Sequence, residues 1–381
     1  MFIECQECDL QYLRNETGFV DHVRDPNLAE VHVLISAQGT AAGGEEFSIS
    51  FLGREQYKNM EYKLTYTSLS TDTEADTRSG LLQVIKMGLM PYVAMSSEIS
   101  HLTIRYDLQG LVSDRTKNYD AWDFWVFYLD LGGGVRAEES RDAFNIDGSA
   151  RADRITDEWR WRSEFFYRYE EENFMDEDEE IRSTLRQWEG SIQLIYSLSR
   201  RWSTGIFADV YSTTYRNISL GSRVAPAIEY NMFPWSESDY RIFTFAYELG
   251  LRTYDYLEET IYDKSGENLA YHAGKMDLEF IQPWGTTEVE LEARQFLAKP
   301  DMYSIELQSD LSVRVSGGLS FYFEFDFEII HDQIYLPKGD ATRDEILLKR
   351  RQLATTYEYQ ASFGIRFTFG SIYNNIVNRR L

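Results

Sequence analysis

The chain has 381 residues, with 63 Asp plus Glu against 38 Lys plus Arg and a formal charge of -25. So acidic a chain offers no clustered basic surface to neutralise phosphates, which excludes a nucleic-acid partner, and no run of about 18 apolar residues occurs, which excludes a membrane-spanning helix. A mean hydropathy of -0.43 fits a soluble protein, but an aromatic content of 15% with only 7 Pro does not.

The opening Met1-Phe2-Ile3-Glu4-Cys5 lacks the basic and apolar regions of a signal peptide, so the chain is expected to be cytosolic or already mature. Cys5 and Cys8 are the only cysteines. A zinc site needs about four ligands and no second pair exists, and Gln6-Glu7 beside an acidic flank would not activate a thiol. A local disulfide, two unpaired structural thiols, or a redox or metal pair remain open, the first pointing to an oxidising compartment.

Asp9 to Val23 predicts a helix, and Val31–Ser36, Glu46–Leu52 and Glu61–Thr67 predict strands. The Gln38–Gly44 loop matches no phosphate-binding fingerprint and reads as a hairpin connection. A second helix opens at Asp72-Thr73-Glu74, with Leu81, Leu82, Val84, Ile85, Leu89 and Tyr92 at helical spacing, and His101–Leu108 predicts another strand. Residues 1–118 therefore read as a small α/β domain.

From about residue 122 the period becomes two. In Leu319–Ile329 every odd position is apolar and the even ones are mostly charged or polar, which is a strand with one greasy and one wet face. The same holds around Val289, Ile305 and Tyr357, and further strands are expected near Trp122, Arg141, Glu158, Arg182, Trp202, Gly221, Tyr240 and Asn268, for a total of about twelve. Pro226 falls inside the sixth and predicts a bulge.

Soluble sandwiches alternate too, so the connections decide. Ile155–Glu158, Ser199–Trp202, Pro234–Ser238, Gln282–Gly285 and Ser316–Gly318 are short links, while Glu170–Glu180, Glu258–Asn268 and Asp332–Thr355 read as long polar loops between them. Short turns on one rim and long loops on the other are the layout of an outer-membrane barrel with both termini on the periplasmic side. Trp159, Trp202, Trp235 and Trp284 lie at the short turns, as a periplasmic-side aromatic girdle requires. The expected fold is mainly β: an antiparallel transmembrane β-barrel of about twelve strands over residues 119–370, preceded by the α/β domain and followed by a periplasmic tail, 371–381, with the sheet closed because an open edge in hydrocarbon is costly.

The chain also resembles a family of uncharacterised outer-membrane proteins of Bacteroidota and related Gram-negative phyla. The matching stretches are Cys5–Asp9 with Tyr12–Glu16, Phe19–Asp25, Val31–Ile35, Pro226–Asn231, Gln282–Gly285, Asp332–Asp340 and Phe369–Asn378. The resemblance spans nearly the whole chain and implies export to the outer membrane, with the N-terminal domain in the periplasm; it implies no activity and no cofactor. Since the chain ends in Arg380-Leu381, Phe367 and Phe369 at the end of the last strand are the expected barrel-assembly signal. The N-terminal arrangement also looks like the small periplasmic domains of envelope assembly proteins.

No catalytic motif is present. His272 and His331 are the histidines placed for a surface hydrolase, but His331 and Asp332 are neighbours and would point to opposite faces of a strand, and no GxSxG accompanies them, so the chain is not expected to be an enzyme. The acidic run Glu170–Glu180 lacks EF-hand spacing and reads as a solvated surface loop, with weak cation bridging to lipopolysaccharide as the alternative. Glu288, Glu290, Glu292, Glu306, Asp310, Glu324, Asp326 and Glu328 would form a negative wall facing the lumen, opposed by Arg160, Arg162 and Arg168. Twelve strands give a narrow bore, and the 24-residue segment Asp332–Thr355 is long enough to fold into it. Two roles follow: an anchor or accessory subunit docking envelope protein partners through the N-terminal domain, or a narrow cation-preferring channel, in either case surrounded by outer-membrane lipid and lipopolysaccharide.

Overall fold

The computed structural model of the chain describes residues 1–5, 8–40, 42–97, 99, 103, 122–139, 141–176, 179–316, 319–339 and 352–367. They build two sheets. The first contains β1 (Phe2–Cys5), β2 (Val31–Gly39), β3 (Glu45–Gly53) and β4 (Glu61–Thr67), with helices α1 (Leu10–Glu16) and α2 (Glu74–Ala94). β1 runs parallel to β2, and β2, β3 and β4 are antiparallel. Val33, Ile35, Ile49 and Phe51 alternate on one face and meet Leu81, Ile85 and Leu89 of α2 and Leu13 of α1 in a closed core. Thr73 starts α2 through a capping box with Asp76, which satisfies two otherwise unpaired helix-terminal donors.

The other face of this sheet is covered as well: His32, Leu34, Ser36 and Ser48 are buried there. That is why Val31–Ser36 is apolar almost throughout and does not alternate. Two readings change, and one falls outside what the structure describes. β1 was not foreseen, because four residues before a cysteine pair carry no period. α1 stops at Glu16 and does not reach Val23: Thr17 caps it with φ -106° and ψ 33°, outside helical geometry. The strand expected over 101–108 lies almost entirely outside the described residues, as do the domain boundary at 118 and the tail 371–381.

The second sheet contains β5 (Trp125–Glu138), β6 (Arg141–Ile155), β7 (Trp159–Asp176), β8 (Glu179–Ser197), β9 (Trp202–Thr213), β10 (Ile218–Asn231), β11 (Arg241–Tyr256), β12 (Gly266–Gln282), β13 (Gly285–Phe296), β14 (Lys299–Ser316), β15 (Leu319–Ile330) and β16 (Tyr357–Phe367). Each pairs with its predecessor, an up-and-down antiparallel meander of twelve strands. Its burial is inverted relative to a soluble protein. On β11, Phe245, Tyr247, Leu249 and Leu251 are exposed, whereas Thr244, Glu248, Tyr254 and Tyr256 at positions of the opposite parity are buried. The charged face is the inner one.

The sheet is curled. Gly43 of the β2–β3 hairpin abuts the Tyr128 phenol on β5, and Glu4 of the same small domain binds Arg314 on β14. In a flat sheet nine strand spacings of about 4.8 Å would separate β5 from β14 by about 43 Å, more than the domain bridges between Glu4 and Gly43. The closure expected from the sequence is not among the described pairings, however: β5 and β16 are the two edges of the sheet, and Leu131 and Phe363 near them are more than 80% exposed.

Two expectations for the strands are corrected. Glu170–Glu180 is not a loop: β7 runs to Asp176 and β8 begins at Glu179, because Glu170, Glu171 and Glu172 pair in register with Leu185, Thr184 and Ser183. Pro226 makes no bulge. It pairs with Ile206 in an unbroken register to β9, and toward β11 the ladder skips it without shifting; the irregularity of β10 lies between Ile218 and Leu220.

Candidate functional site

Strand register brings the acidic residues of the inner face into rows. Glu279, Glu288, Asp310 and Glu324 are direct cross-strand partners, as are Asp277, Glu290, Gln308 and Asp326, and then Glu292, Glu306, Glu328 and Glu358. Directly opposed side chains have Cβ atoms about 5 Å apart, where like charges repel. Lys275 at 3.0 Å and Arg294 at 3.7 Å compensate Glu292. Among the described residues, Glu288, Glu290, Asp310, Glu324 and Asp326 have no ion-pair partner, and all five keep contact with water. All eight acids expected from the sequence therefore lie on one wall. Asp277, Glu279 and Glu358 extend it, and were missed because pairing across β12 and β16 is fixed by register, which alternation alone does not reveal.

The opposite wall is charged but neutralised. Arg162 forks onto Asp153 at 2.9 and 3.1 Å, with Arg151 3.3 Å from the same carboxylate. Arg168 lies 3.8 Å from Glu170, and Arg160 shares the inner-face parity of β7.

At the short-turn rim, Trp159 and Trp202 open β7 and β9 on the outer face and pack on their cross-strand partners Tyr196 and Tyr230 at ring-centroid distances of 4.6 and 4.8 Å. Trp284 stands 46% exposed in the two-residue link to β13. Trp235 differs: it sits in a short 3-10 turn before β11, with its indole N–H enclosed and no acceptor. Trp125 and Trp161 join the outer face at this rim, with centroids 6.0 Å apart; their parity with Phe127 and Phe165 was the available signal. Phe367 ends β16, opposite Leu319; Phe369 lies outside the described residues.

The N-terminal domain docks on the same rim through the second face of its sheet. Glu4, Gln38 and Lys63 share that face. Glu4 receives both Arg314 Nη1 and Nη2, at 3.2 and 3.0 Å; Gln38 donates to Ser238 O at 2.6 Å; Lys63 pairs with Asp239. Arg314 also donates to Pro283 O at 3.0 Å and lies 5.1 Å from the Phe2 ring centre. Behind Glu4, His32 is fully buried. Arg54 approaches its Nδ1 at 3.3 Å, and since guanidinium only donates, Nδ1 accepts and Nε2–H donates to Glu4 at 2.9 Å. Burial pushes the Glu4 carboxyl up, but the hydrogen bonds from His32 and Arg314 outweigh it and hold the group below its ordinary value. Cys5 and Cys8 are joined as a disulfide beside this site.

The other mouth is crossed by the link after β15. Asn217, in the β9–β10 turn, donates to Tyr335 O at 3.1 Å, Gln352 N donates to Tyr215 O at 3.1 Å, and Thr260 bridges Pro337. Ile334 is buried with Ile218, Tyr271 and Phe296. Of the segment 332–355, the described ends pack against the β9–β10 turn and the inner face at this mouth; the middle of the segment lies outside the described residues. His331 stacks near Tyr303 while Asp332 goes to Arg294 at 2.9 Å, so the two form no catalytic pair; His272 faces outward between Tyr247 and Gln295. Among the described residues no group of His, Cys, Asp and Glu is arranged to hold a metal ion.

No protein-family description matches the chain, and no curated protein matches it. Among solved structures it is similar to the NanC porin, at 9% identity over 64% of this chain and all of that one, TM-score 0.30. It is also similar to the CymD monoaromatic hydrocarbon channel, at 7% identity over 65% of this chain and 87% of that one, TM-score 0.27.

Proposed function

We propose that the chain is an outer-membrane β-barrel forming a narrow, cation-preferring passage, with its N-terminal domain on the periplasmic side seated over the short-turn mouth. The observation that carries this is the inverted sheet: an outer face with exposed apolar side chains on most strands, and an inner face on which β13, β14 and β15 hold, in register, carboxylates with no ion-pair partner among the described residues. Lipid would cover the first, and water with mobile cations would occupy the second. Trp159, Trp202 and Trp284, with Trp125 and Trp161, would form the interfacial girdle, and β5 would meet β16 in the membrane, where unpaired edge groups cost several kcal/mol each. In planar bilayers under a KCl gradient, the reversal potential is expected to have the sign of cation selectivity. Replacing Glu288, Asp310 and Glu324 together by Gln should shift it toward zero. Absence of conductance, or anion selectivity in the unaltered protein, overturns the reading.

A second reading, an accessory subunit that docks a periplasmic partner, is supported by Leu69, Met87 and Met95, which stand 59–66% exposed on the N-terminal domain. Purification from native membranes in mild detergent without a stoichiometric companion counts against it.

A further inference from the structure

Within the large sheet lies a cavity of about 470 Å³, lined by residues of β8, β9, β10, β11 and β13 and of the β9–β10 turn. Its lining contains four arginines, Arg216, Arg223, Arg252 and Arg294, against two carboxylates, Glu189 and Asp209. This is an excess of positive charge inside a protein of net charge -25. Two of the four are neutralised locally: Arg223 by Asp209 and by Glu248 at 3.3 Å, Arg294 by Asp332 at 2.9 Å.

The other two have no carboxylate partner among the described residues. Arg252 lies 4.9 Å from the Tyr271 ring centre and reaches Tyr254 Oη only at 3.4 Å, and its Nε is enclosed without an acceptor. Arg216 lies 5.9 Å from the ring centre of Tyr335, on the covering link. Arg216 is exposed at the mouth and Arg252 is partly enclosed; an enclosed guanidinium nitrogen without an acceptor is costly, and the planar fork of both groups matches carboxylate and phosphate oxygens. Aromatic side chains in the lining, Trp188, Tyr211 and Tyr215, would flank the organic part of a small ligand.

We propose that this cavity is a binding site for a small anion bearing a carboxylate or phosphate group, held by Arg216 and Arg252 at the loop-side mouth. The proposal goes beyond the channel reading, because binding does not require that ions traverse the sheet. It is tested on the full chain in detergent micelles by isothermal titration with sodium succinate and, separately, inorganic phosphate, which distinguishes the two headgroups; choline chloride serves as the cationic comparison. Saturable binding of at least one anion is expected, weakened roughly tenfold or more by Arg252→Gln or Arg216→Gln, the loss of one charge-assisted pair, and less by Arg252→Lys. Arg136→Gln, on a residue paired with Glu138 at 2.9 Å on the exposed part of β5, should change nothing. Phenylglyoxal labelling mapped by mass spectrometry gives a second readout on the unaltered protein: succinate or phosphate should protect Arg216 and Arg252 and leave Arg136 reactive. No saturable binding of either anion below about 10 mM, equal binding in folded Gln variants, or labelling indifferent to anion each overturns the proposal.

Discussion

His22 is 6% exposed, on the chain that leads from α1 to β2. The Thr17 hydroxyl gives its only proton to Leu13 O at 2.6 Å, so the contact at 2.9 Å between Thr17 Oγ1 and His22 Nε2 is donated by the imidazole. Burial, helped by the nearby N-terminal ammonium, lowers the His22 pKa to about 4. The unfolded chain, with an ordinary value near ~6.5, therefore binds a proton between roughly pH 6.5 and 4 that the folded chain refuses. Stability rises with pH across that window and is lost as pH falls through it. Acidification from pH 7 to 4 should cost the N-terminal domain about 1–2 kcal/mol through this residue, once its residual water contact is discounted. In His22→Asn the slope of thermal midpoint against pH between 6.5 and 4.5 should flatten, and an unchanged slope by scanning calorimetry would refute the assignment. Glu4 acts lower on the scale: its carboxyl is held below the ordinary value, so its contribution is present above that value and fades only as pH falls through the lowered one.

Elements in this chain are set by how closely their faces meet. A Cβ added at Gly88 of α2 would come within 2.0 Å of the Phe51 ring, and one at Gly80 within 2.2 Å of the Tyr66 hydroxyl; Tyr62 also donates to Gly88 O. Gly88→Ala should gain helix propensity of up to about 1 kcal/mol and lose more to overpacking, for a net destabilisation of about 1–2 kcal/mol. Urea denaturation of the full chain, followed on the transition that reports the N-terminal sheet, checks the sign; a stabilised variant would mean that α2 can lift off β3 freely. The strands were legible wherever one face is dry and one wet, which is why all twelve of the large sheet could be read from alternation. Where both faces are buried, as in β2, or where the segment is too short, as in β1, the pattern vanished. In Glu170–Glu180 the run of charge reads as a loop, whereas on a wet inner face Glu170 and Glu172 are ordinary strand residues and Glu171 is held by Arg182 at 2.6 Å. The acidic wall was readable strand by strand. The arginine cavity was not, since its four cations come from β10, β11, β13 and a turn that only the curl of the sheet brings together.

At the scale of the whole molecule, the N-terminal sheet has three layers of neighbours: helices on one face, its own strands in plane, and the rim of the large sheet on the other face. That second face is the one on which a freely exposed domain would be polar throughout, yet it buries His32 and Leu34 and aims Glu4 and Lys63 at fixed partners on the rim. The Arg54–His32–Glu4–Arg314 chain ties this buried face to β14, so removing Arg314 leaves the Glu4 carboxylate and the His32 N–H donor in a half-buried gap. Loss of one member of such a hydrogen-bonded charge pair costs about 2 kcal/mol or more, against a domain that otherwise holds the rim by Gln38, Lys63 and the contact of Gly43 with Tyr128. Arg314→Ala should therefore release the domain without unfolding either sheet. The expected signs are faster trypsin cleavage between the two parts and, in bilayers, a rise in open-state current. The charge-swapped pair Glu4→Arg with Arg314→Glu should restore at least part of the protection. Unchanged cleavage in Arg314→Ala would mean that the domain is held by shape and not by this ion pair. Increased cleavage without any change in current would mean that the domain covers the rim but does not obstruct the mouth.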